Sequence, residues 1–459
     1  MSSPAGHGHD AVFTRGSTLR HVTVMSVTGA IGLTALFVVD LVSLLYISWL
    51  GDVNVTAGVG FATTVFFFTT SANIGLMIAC AAAVSRALGA RDRAHARRLA
   101  GSSCAWMTVI SLVVGLGALP FCDPLLTWLG ATGEAHAVAM RFLMITMPSN
   151  VLMGLGLAYS AVLRAVGDAS RAMYVTLAGG IVTAIIDPLL IFGAGLGPDG
   201  AAWAVVVSRV VFCVVGWMGA VRVHDLVSRP RLKDMVEDIR PLGVIAGPAV
   251  LTNLAPPVAN GFMTAVISPF GADAIAANAI ILRLTPVAFC VLFALSGAVG
   301  PIFGQNLGAG LHDRVRRTLT DGLLFSLGTV LVAWAILALG RDGLVAIFHA
   351  EGETAELLRL FCLVIAGSWI FHGALFVANA AFNNLGAPLL ATGFNWGKAT
   401  IGTVPFALVG AQMGGAGGAL IGQGLGAVVF GVAGVWAAYG SVDRVIARNE
   451  AARAARGGG

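Results

Sequence analysis

The chain has 459 residues, of which 57% are hydrophobic and 11% are charged, and its mean hydropathy is +0.88. An ordinary soluble domain carries about 25% charged residues, so this composition excludes one and indicates an integral membrane protein. The formal charge of +5 does not indicate a nucleic-acid partner, because the basic residues are spread over several loops without interleaved aromatic residues.

Apolar runs of about 20 residues, the length that crosses a bilayer as a helix, occur repeatedly along the chain. No run alternates apolar and polar residues as a membrane strand does, so we predict an all-α integral membrane protein. The twelve predicted spans are 22–48, 55–84, 99–120, 137–163, 172–194, 200–222, 241–268, 275–304, 320–340, 357–381, 389–410 and 415–439.

The loops between these spans differ in charge. Of the 27 Lys and Arg residues, 21 lie in the two termini, in the loops that follow even-numbered spans or, for Arg222, at the inner end of such a span, and Arg341 alone lies in the opposite loops. Positively charged loops stay in the cytoplasm. We therefore predict a multi-pass protein of the cytoplasmic cell membrane with both termini inside, including cytoplasmic tails at 1–21 and 441–459.

The sequence contains an internal repeat with an offset of 219 or 220 residues. The loop LGARDRAHARR at 88–98 recurs as LGAGLHDRVRR at 307–317, and three glycine-containing landmarks recur at the same offset. This pattern predicts two six-helix repeats, an N-lobe at 22–222 and a C-lobe at 241–440, joined by a cytoplasmic inter-lobe loop at 223–240. Because six is even, the repeats are parallel, an arrangement that commonly leaves a central cleft.

Two carboxylates lie inside apolar spans of the N-terminal half, Asp40 in the first span and Asp187 in the fifth. A charge there costs on the order of 3 kcal/mol on insertion scales, which indicates a functional reason for it. Helix rise places both roughly 12 to 15 Å below the outer surface. We predict a coupling site for protons, or for a monovalent cation such as Na⁺. At the repeat offset Asp40 corresponds to the uncharged Asn260, so the fold tolerates an amide there, and we predict a supporting polar role for Asn260.

Three neighbours of Asp187 are candidates for a supporting role. Thr183 lies one turn before Asp187 and Thr176 two turns further, on the same helix face. Pro188 removes a helix hydrogen bond and frees a carbonyl near residue 184, which suits ion coordination or a hinge. Hydrogen bonding and packing without any further role is the alternative for all of these residues.

The C-terminal half has no carboxylate well inside a span, so its candidates are of other kinds. His372 lies in mid-span and could titrate or serve structurally. The basic side chains of Arg209, Arg283 and Lys398 lie a few turns from the inner ends of their spans, where snorkelling is expected. The candidates to line a cavity are Trp369, His372, Phe376 and Asn379.

No catalytic or metal-binding motif is present in the sequence. HExxH and GxSxG are absent, and the six cysteines are scattered without CxxC or other metal-ligand spacing. We therefore predict that the protein is not an enzyme and that it has no cofactor and no bound metal other than a possible coupling Na⁺.

Five motifs in a fixed order resemble the MATE family, multidrug and toxic compound extrusion transporters. They are VVDLVSLLYISWLGD in the first span, SRALGARD after the second with its echo GQNLGAG after the eighth, LRAVGD after the fourth, and DPLLIFG followed by GAAWAVVVSR. The resemblance extends from about residue 20 to 440. It implies a secondary antiporter that exports cationic or amphipathic small molecules, driven by H⁺ or Na⁺, as its lobes rock around a central cavity in the lipid bilayer.

Within this resemblance the chain is similar to the DinF-like branch. That branch carries a functional carboxylate in the first span, matched by Asp40, and its archaeal members carry another in the fifth, matched by Asp187. The NorM-like branch also relies on a Glu in the seventh span, where this chain has Pro256. A family Asn near the fifth-span Asp is Thr183 here. The resemblance therefore favours H⁺ coupling through Asp40.

These inferences predict an H⁺-coupled exporter that functions as a monomer, in which protonation of Asp40 releases a cationic substrate. Two alternatives remain open. One is a Na⁺-coupled multidrug antiporter. The other is a flippase for a lipid or polysaccharide precursor, whose cavity should be basic, whereas the deep charges here are acidic.

Overall fold

The structure, a computed structural model, describes residues 11–50 and 52–457, so parts of the predicted tails 1–21 and 441–459 lie outside the described residues. Within these ranges the regular elements are helical. The α-helices are α1 (Thr18–Ser48), α2 (Val53–Gly89), α3 (Arg93–Trp128), α4 (Gly133–Thr146), α5 (Asn150–Val166), α6 (Ala169–Pro188), α7 (Pro198–Trp217), α8 (Leu232–Ile267), α9 (Ala272–Ala288), α10 (Cys290–Gly308), α11 (His312–Ile347), α12 (Gly352–Leu363), α13 (Trp369–Asn384), α14 (Pro388–Gly397) and α15 (Val404–Gly457).

Eleven segments of the described residues are long and apolar enough to cross a membrane. One of them, Pro388–Arg448, is 61 residues long, and its helix is interrupted at Gly414 and Gly415, where the backbone leaves the helical region. The arms on either side match the predicted spans 389–410 and 415–439. The predicted all-α membrane fold built from two repeats is confirmed.

Glycines allow the two arms of α15 to pack backbone against backbone. A Cβ added to Gly418 would lie 2.0 Å from the carbonyl oxygen of Gly410, and one added to Gly422 would lie 2.0 Å from that of Phe406. No side chain larger than hydrogen fits at such distances. The glycine-rich sequence of this segment therefore reflects close helix packing.

The chain divides into two compact units. The N-terminal unit contains Ile31–Val250, and the C-terminal unit contains Phe13–Ala30 together with the chain from Leu251 onward. Each unit has its own apolar core of buried side chains. The divisions, after positions 30 and 250, fall inside α1 and α8 and are separated by the same 220 residues as the sequence repeat. The first helix of each repeat therefore contributes to both units.

The predicted inter-lobe loop 223–240 is anchored to the N-terminal unit, and its second half is the start of α8. Asp238 is 2% exposed and accepts hydrogen bonds from Arg98, at 2.9 Å, and from Ser102, at 2.7 Å. The indole N–H of Trp106 donates to a backbone carbonyl of the same segment at 3.0 Å. These contacts explain why the unit boundary lies beyond the loop.

The first described residues pack on the C-terminal unit. Phe13 is 1% exposed, and its backbone N–H donates to Oε1 of Gln305 at 2.8 Å. The guanidinium of Arg314 donates to the carbonyl oxygens of Phe13, at 2.7 Å, and Gly16, at 2.8 Å. The described part of the predicted N-terminal tail is therefore held by specific contacts.

Candidate functional site

The part of α1 in the N-terminal unit packs closely along α6. A Cβ added to Gly32 would lie 2.0 Å from Oγ1 of Thr176, and one added to Gly180 would lie 3.6 Å from the backbone of Ala35. Residue numbers rise along both helices from one contact to the next, so the helices are parallel. This register places the next polar residues of α1 beside the end of α6.

Asp187 is the buried member of the predicted pair. Its side chain is 1% exposed, and Oδ2 accepts a hydrogen bond from the hydroxyl of Ser43 in α1. Sequence reasoning missed Ser43, although it lies one turn from Asp40 in an otherwise apolar stretch. A hydrogen bond of this kind satisfies a carboxylate that would otherwise be costly to bury.

Asp40 differs from Asp187 in its surroundings. Its side chain is exposed, and no hydrogen bond or ion pair connects it to another of the described residues. It lies within electrostatic range of Asp187. Two carboxylates close together in a region with little water are stabilised by taking up a proton or a monovalent cation. Asp40, being exposed, is the member of the pair whose carboxylate is not held by a hydrogen bond to another described residue.

The predicted supporting residues Thr176, Thr183 and Pro188 lie on α6 with Asp187, and none of them forms a hydrogen bond with its carboxylate. The hydroxyl of Thr183 donates to the carbonyl oxygen of Gly179 at 3.0 Å, and that of Thr176 donates to Met173 at 2.8 Å. Pro188 ends α6 and is followed by a π-helical turn at Leu189–Gly193. Thr176 serves the packing of α1 on α6, and Pro188 marks a change of helix type beside Asp187.

Arg209 of α7 lies inside the N-terminal unit, so the expectation that it snorkels is wrong. Its side chain is 8% exposed, and Nη1 donates to the carbonyl oxygen of Thr146 and to Oγ of Ser149, both at 2.8 Å. The guanidinium also lies 5.0 Å from the ring centroid of Phe66. Because α4 ends at Thr146 and α5 begins after Ser149, Arg209 stabilises the break between these helices.

The candidate cavity residues of the C-terminal unit share one face of α13, with spacings of three, four and three residues. Trp369 stacks on Phe289, with ring centroids 4.7 Å apart, and on His372, at 4.6 Å. Phe376 lies partly buried one turn further, and Oδ1 of Asn379 accepts a hydrogen bond from Asn395 of α14 at 3.0 Å.

Asn260, the counterpart of Asp40 in the repeat, lies on α8 in the C-terminal unit. Its side chain is exposed, and its backbone carbonyl accepts a hydrogen bond from Thr264 at 3.0 Å. The amide of Asn278 donates to the same threonine hydroxyl at 3.3 Å. The repeat therefore carries only uncharged polar groups at this place in the C-terminal unit.

Comparison with known proteins gives these features a context. The MatE family model matches residues 30–189 and 248–409. The FAD transporter of Shewanella oneidensis is 28% identical over 418 residues, which cover 89% of this chain and 92% of that protein. The multidrug export protein MepA of Staphylococcus aureus is 24% identical over 374 residues, covering 80% of this chain and 81% of that protein.

Solved structures agree with the family match. A mutant of the Vibrio cholerae MATE transporter VcmN superposes with a TM-score of 0.88 at 25% identity, covering 94% of this chain and 97% of that one. A MOP superfamily transporter from Pyrococcus furiosus superposes with a TM-score of 0.89 at 20% identity, covering 96% and 99%; this second likeness concerns the fold alone.

Proposed function

This chain belongs to the MatE family of membrane transporters, and we propose that it is a secondary active antiporter exporting cationic or amphipathic small molecules in exchange for H⁺. The members that it resembles are transporters and not enzymes. We further propose that it lies in the cytoplasmic membrane with both termini inside, because the excess of basic residues in the loops on that side favours this orientation. We also propose that it functions as a monomer.

The observation that carries the proposal is the unequal pair of carboxylates in the N-terminal unit. Asp187 is buried and bonded to Ser43, whereas Asp40 is exposed and lies within electrostatic range of Asp187. One negative charge is thus fixed by the fold, and the other is open to a ligand. Protons and organic cations compete for such a charge.

In the proposed cycle, the ionised Asp40 binds a cationic substrate from the cytoplasm. After the site opens outward, a proton reaches Asp40, the charge is neutralised, and the substrate loses its electrostatic attraction. Loss of the proton to the cytoplasm restores the affinity. A single carboxylate that binds either the proton or the substrate supplies the differential affinity that coupled exchange needs.

The relatives support the substrate class at a coarse level. MepA is named as a multidrug export protein and the Shewanella protein as an FAD transporter, so both names refer to the transport of organic small molecules. A large apolar surface with few polar contacts is what a polyspecific site recognises. Na⁺ coupling through the same two carboxylates is the second candidate, because a monovalent cation neutralises the pair as a proton does.

The test is exchange in proteoliposomes that contain a fluorescent organic cation, with pH and Na⁺ gradients imposed separately. We expect the pH gradient to drive exchange in the parent protein and Asp40→Asn to abolish it, with both proteins eluting as the same monodisperse species. The matched control is Asn260→Ala, which alters the repeat counterpart and should keep most of the activity. A fully active Asp40→Asn protein would refute the mechanism, and exchange driven only by Na⁺ would establish the second candidate.

A further inference from the structure

A lysine lies in the middle of a membrane span of the C-terminal unit. Lys398 follows the last residue of α14 and opens a π-helical turn, Lys398–Gly402. It is ten residues from Pro388, which corresponds to about 15 Å along a helix in a span that crosses about 30 Å of hydrocarbon. Single π-helical turns of this kind occur frequently at functional sites.

Polar groups from two helices meet around this lysine. Asn395 lies one turn before Lys398 and donates to Oδ1 of Asn379 at 3.0 Å, which joins α14 to α13. Two turns before Asn379 on α13 is His372, which lies within electrostatic range of Lys398. Lys398, Asn395 and Asn379 therefore lie in one polar region of the unit, and His372 is close enough to interact electrostatically with the lysine.

Lys398 forms no ion pair with any residue that the structure describes. Between residues 251 and 449 the acidic residues lie near the ends of the spans, at Asp273, Asp313, Asp321, Asp342, Glu351, Glu353, Glu356 and Asp443. A charged side chain at this depth is costly, and such residues usually mark a substrate or ion pathway.

Ring stacking holds His372 in a fixed orientation beside Lys398. The imidazole stacks on Trp369, which stacks in turn on Phe289, with centroid distances of 4.6 and 4.7 Å. Its Nδ1 lies 3.4 Å from the carbonyl oxygen of Ser368, so Nδ1 carries the proton that is donated. Nε2, which then carries no proton, can only accept a hydrogen bond, and it has no partner among the described residues.

Asn379 adds further donors to this polar region. Its Oδ1 is occupied by the amide of Asn395, whereas its own Nδ2 donates to no residue in the described part of the chain. An ammonium group offers three donors and an amide nitrogen offers two, and neither accepts a hydrogen bond. The chemical complement of such a set is a negatively charged group with several acceptor oxygens.

We propose that Lys398 and Asn379 bind the carboxylate or phosphate group of the molecule that is exported. This inference rests on the proposed transport function and adds to it a subsite for substrates that carry an oxyanion as well as a cationic group, such as zwitterions. Lys398 supplies the charge, Asn379 supplies hydrogen-bond donors, and His372 limits the space beside the lysine. The stacked rings provide a flat apolar surface next to the oxyanion site.

The transport test uses two dyes that differ in one group, a rhodamine methyl ester, which is a cation, and its free acid, which is a zwitterion. We expect Lys398→Met to reduce export of the acid at least about tenfold, the size of effect expected for losing one charged contact, and to leave export of the ester within about twofold. Lys398→Arg keeps the charge and should retain part of the activity towards the acid. Equal losses for both dyes would overturn the proposal.

The binding test exploits the fact that the sequence contains two lysines, Lys233 and Lys398. Reductive methylation with isotope-labelled formaldehyde gives each of them its own NMR signal, and Lys233→Arg identifies the signal of Lys398. We expect the free acid to shift the Lys398 signal of the detergent-solubilised full chain and the ester to leave it unchanged, whereas Lys233, which is highly exposed, should respond to neither dye.

The same measurement separates the possible sources of the oxyanion. If phosphatidylglycerol shifts the Lys398 signal and the dye acid does not, the site binds lipid and the proposal is wrong. If neither phosphatidylglycerol nor the dye acid changes the Lys398 signal, the proposal is also wrong. The result does not depend on the coupling ion, so an active Asp40→Asn protein would contradict the proposed antiport mechanism while leaving the oxyanion site to be judged by these two experiments.

Discussion

The hydroxyl of Ser43 donates a hydrogen bond to Oδ2 of Asp187, linking α1 to α6 three residues beyond Asp40. The contact holds the carboxylate of Asp187 in place, whereas that of Asp40 has no hydrogen bond to a described residue. It therefore ties the orientation of α1, the helix that carries Asp40, to a buried charge in the same unit.

Ser43→Ala should reduce both stability and exchange. Leaving a buried acceptor without its donor costs about 1 to 3 kcal/mol, and Asp187 is then free to reorient towards Asp40. We expect a lower melting temperature in detergent and a roughly tenfold slower H⁺-driven exchange, because about 1.4 kcal/mol corresponds to a factor of ten. Ser43→Thr keeps the hydroxyl and should retain most of the melting temperature and most of the exchange rate of the parent.

The matched control for this prediction is Ser71→Ala in α2. Ser71 is also buried, but its hydroxyl donates only to the backbone carbonyl of Phe67, at 2.8 Å. Its removal should change exchange by less than twofold. Equal effects of the two alanine substitutions would show that Ser43 has no specific role at the carboxylate pair.

Gly32→Ala should destabilise the N-terminal unit. The added methyl group would lie 2.0 Å from Oγ1 of Thr176, and overpacking of this kind typically costs about 1 to 3 kcal/mol. Combining it with Thr176→Ala removes the clashing oxygen and should recover part of the loss. A thermal unfolding series of the two single variants and the double variant measures the coupling.

Gly60→Ala provides the comparison for this series. Gly60 lies inside α2, and a Cβ there would meet nothing within 4 Å. Alanine is favoured over glycine inside a helix by about 0.5 to 1 kcal/mol, so this variant should be at least as stable as the parent. If Gly32→Ala behaves in the same way, α1 and α6 are not packed as closely as the structure shows.

Arg209→Met should destabilise the break between α4 and α5. The substitution removes the donor to Thr146 and Ser149, and buried acceptors without a donor cost about 1 to 3 kcal/mol. Arg222→Met is the control, because Arg222 is exposed and lies over the ring of Trp217 at 5.0 Å, where the loss should stay near 0.5 to 1 kcal/mol. A melting temperature for Arg209→Met equal to that of the parent would contradict the assignment.

Asp168, at the start of α6 and outside the spans, predicts a pH-dependent contribution to stability. Burial by itself raises the pKa of this carboxyl, but the hydrogen bond from His224, at 2.8 Å, and those from the backbone and guanidinium of Arg171 outweigh it and hold the pKa below its usual range. A carboxylate with a lowered pKa stabilises the folded state above its unfolded pKa, about 3.9, and this contribution is lost as pH falls towards the folded value.

The melting temperatures of the parent and of Asp168→Asn, compared across pH, test this linkage. We expect a constant difference near neutral pH that begins to narrow below about pH 4, where the unfolded carboxyl takes up its proton. Asp92→Asn is a suitable reference, because Asp92 caps α3 through the backbone N–H of His95 alone and should give a smaller difference. A difference in melting temperature between the parent and Asp168→Asn that widens as the pH falls would contradict the predicted linkage.

The amino-acid sequence alone predicts much of the architecture. The lengths of the apolar runs predict the spans, and the 219- to 220-residue offset predicts two repeats. The positions at which the compact units divide keep that offset. Hydrophobic length and repetition are local properties, so the sequence displays them without any knowledge of tertiary contacts.

The partners of individual side chains do not follow from the chain. Span length and helix rise place Asp40 and Asp187 at similar depths, but the bond to Ser43 depends on the register of α1 on α6, which the Gly32 contact helps to set. The buried position of Arg209 likewise depends on where α4 ends beside α7.

The sequence by itself therefore determined the membrane location, the helical class, the duplication and the identity of the costly carboxylates, because each depends on composition or on spacing along the chain. Only the tertiary structure decided which carboxylate is buried, how the 223–240 segment and Phe13 are held, and that Lys398 lies within electrostatic range of His372 and forms no ion pair with a described residue. These features depend on contacts between residues far apart in sequence, whose rotation and register are set by packing between helices.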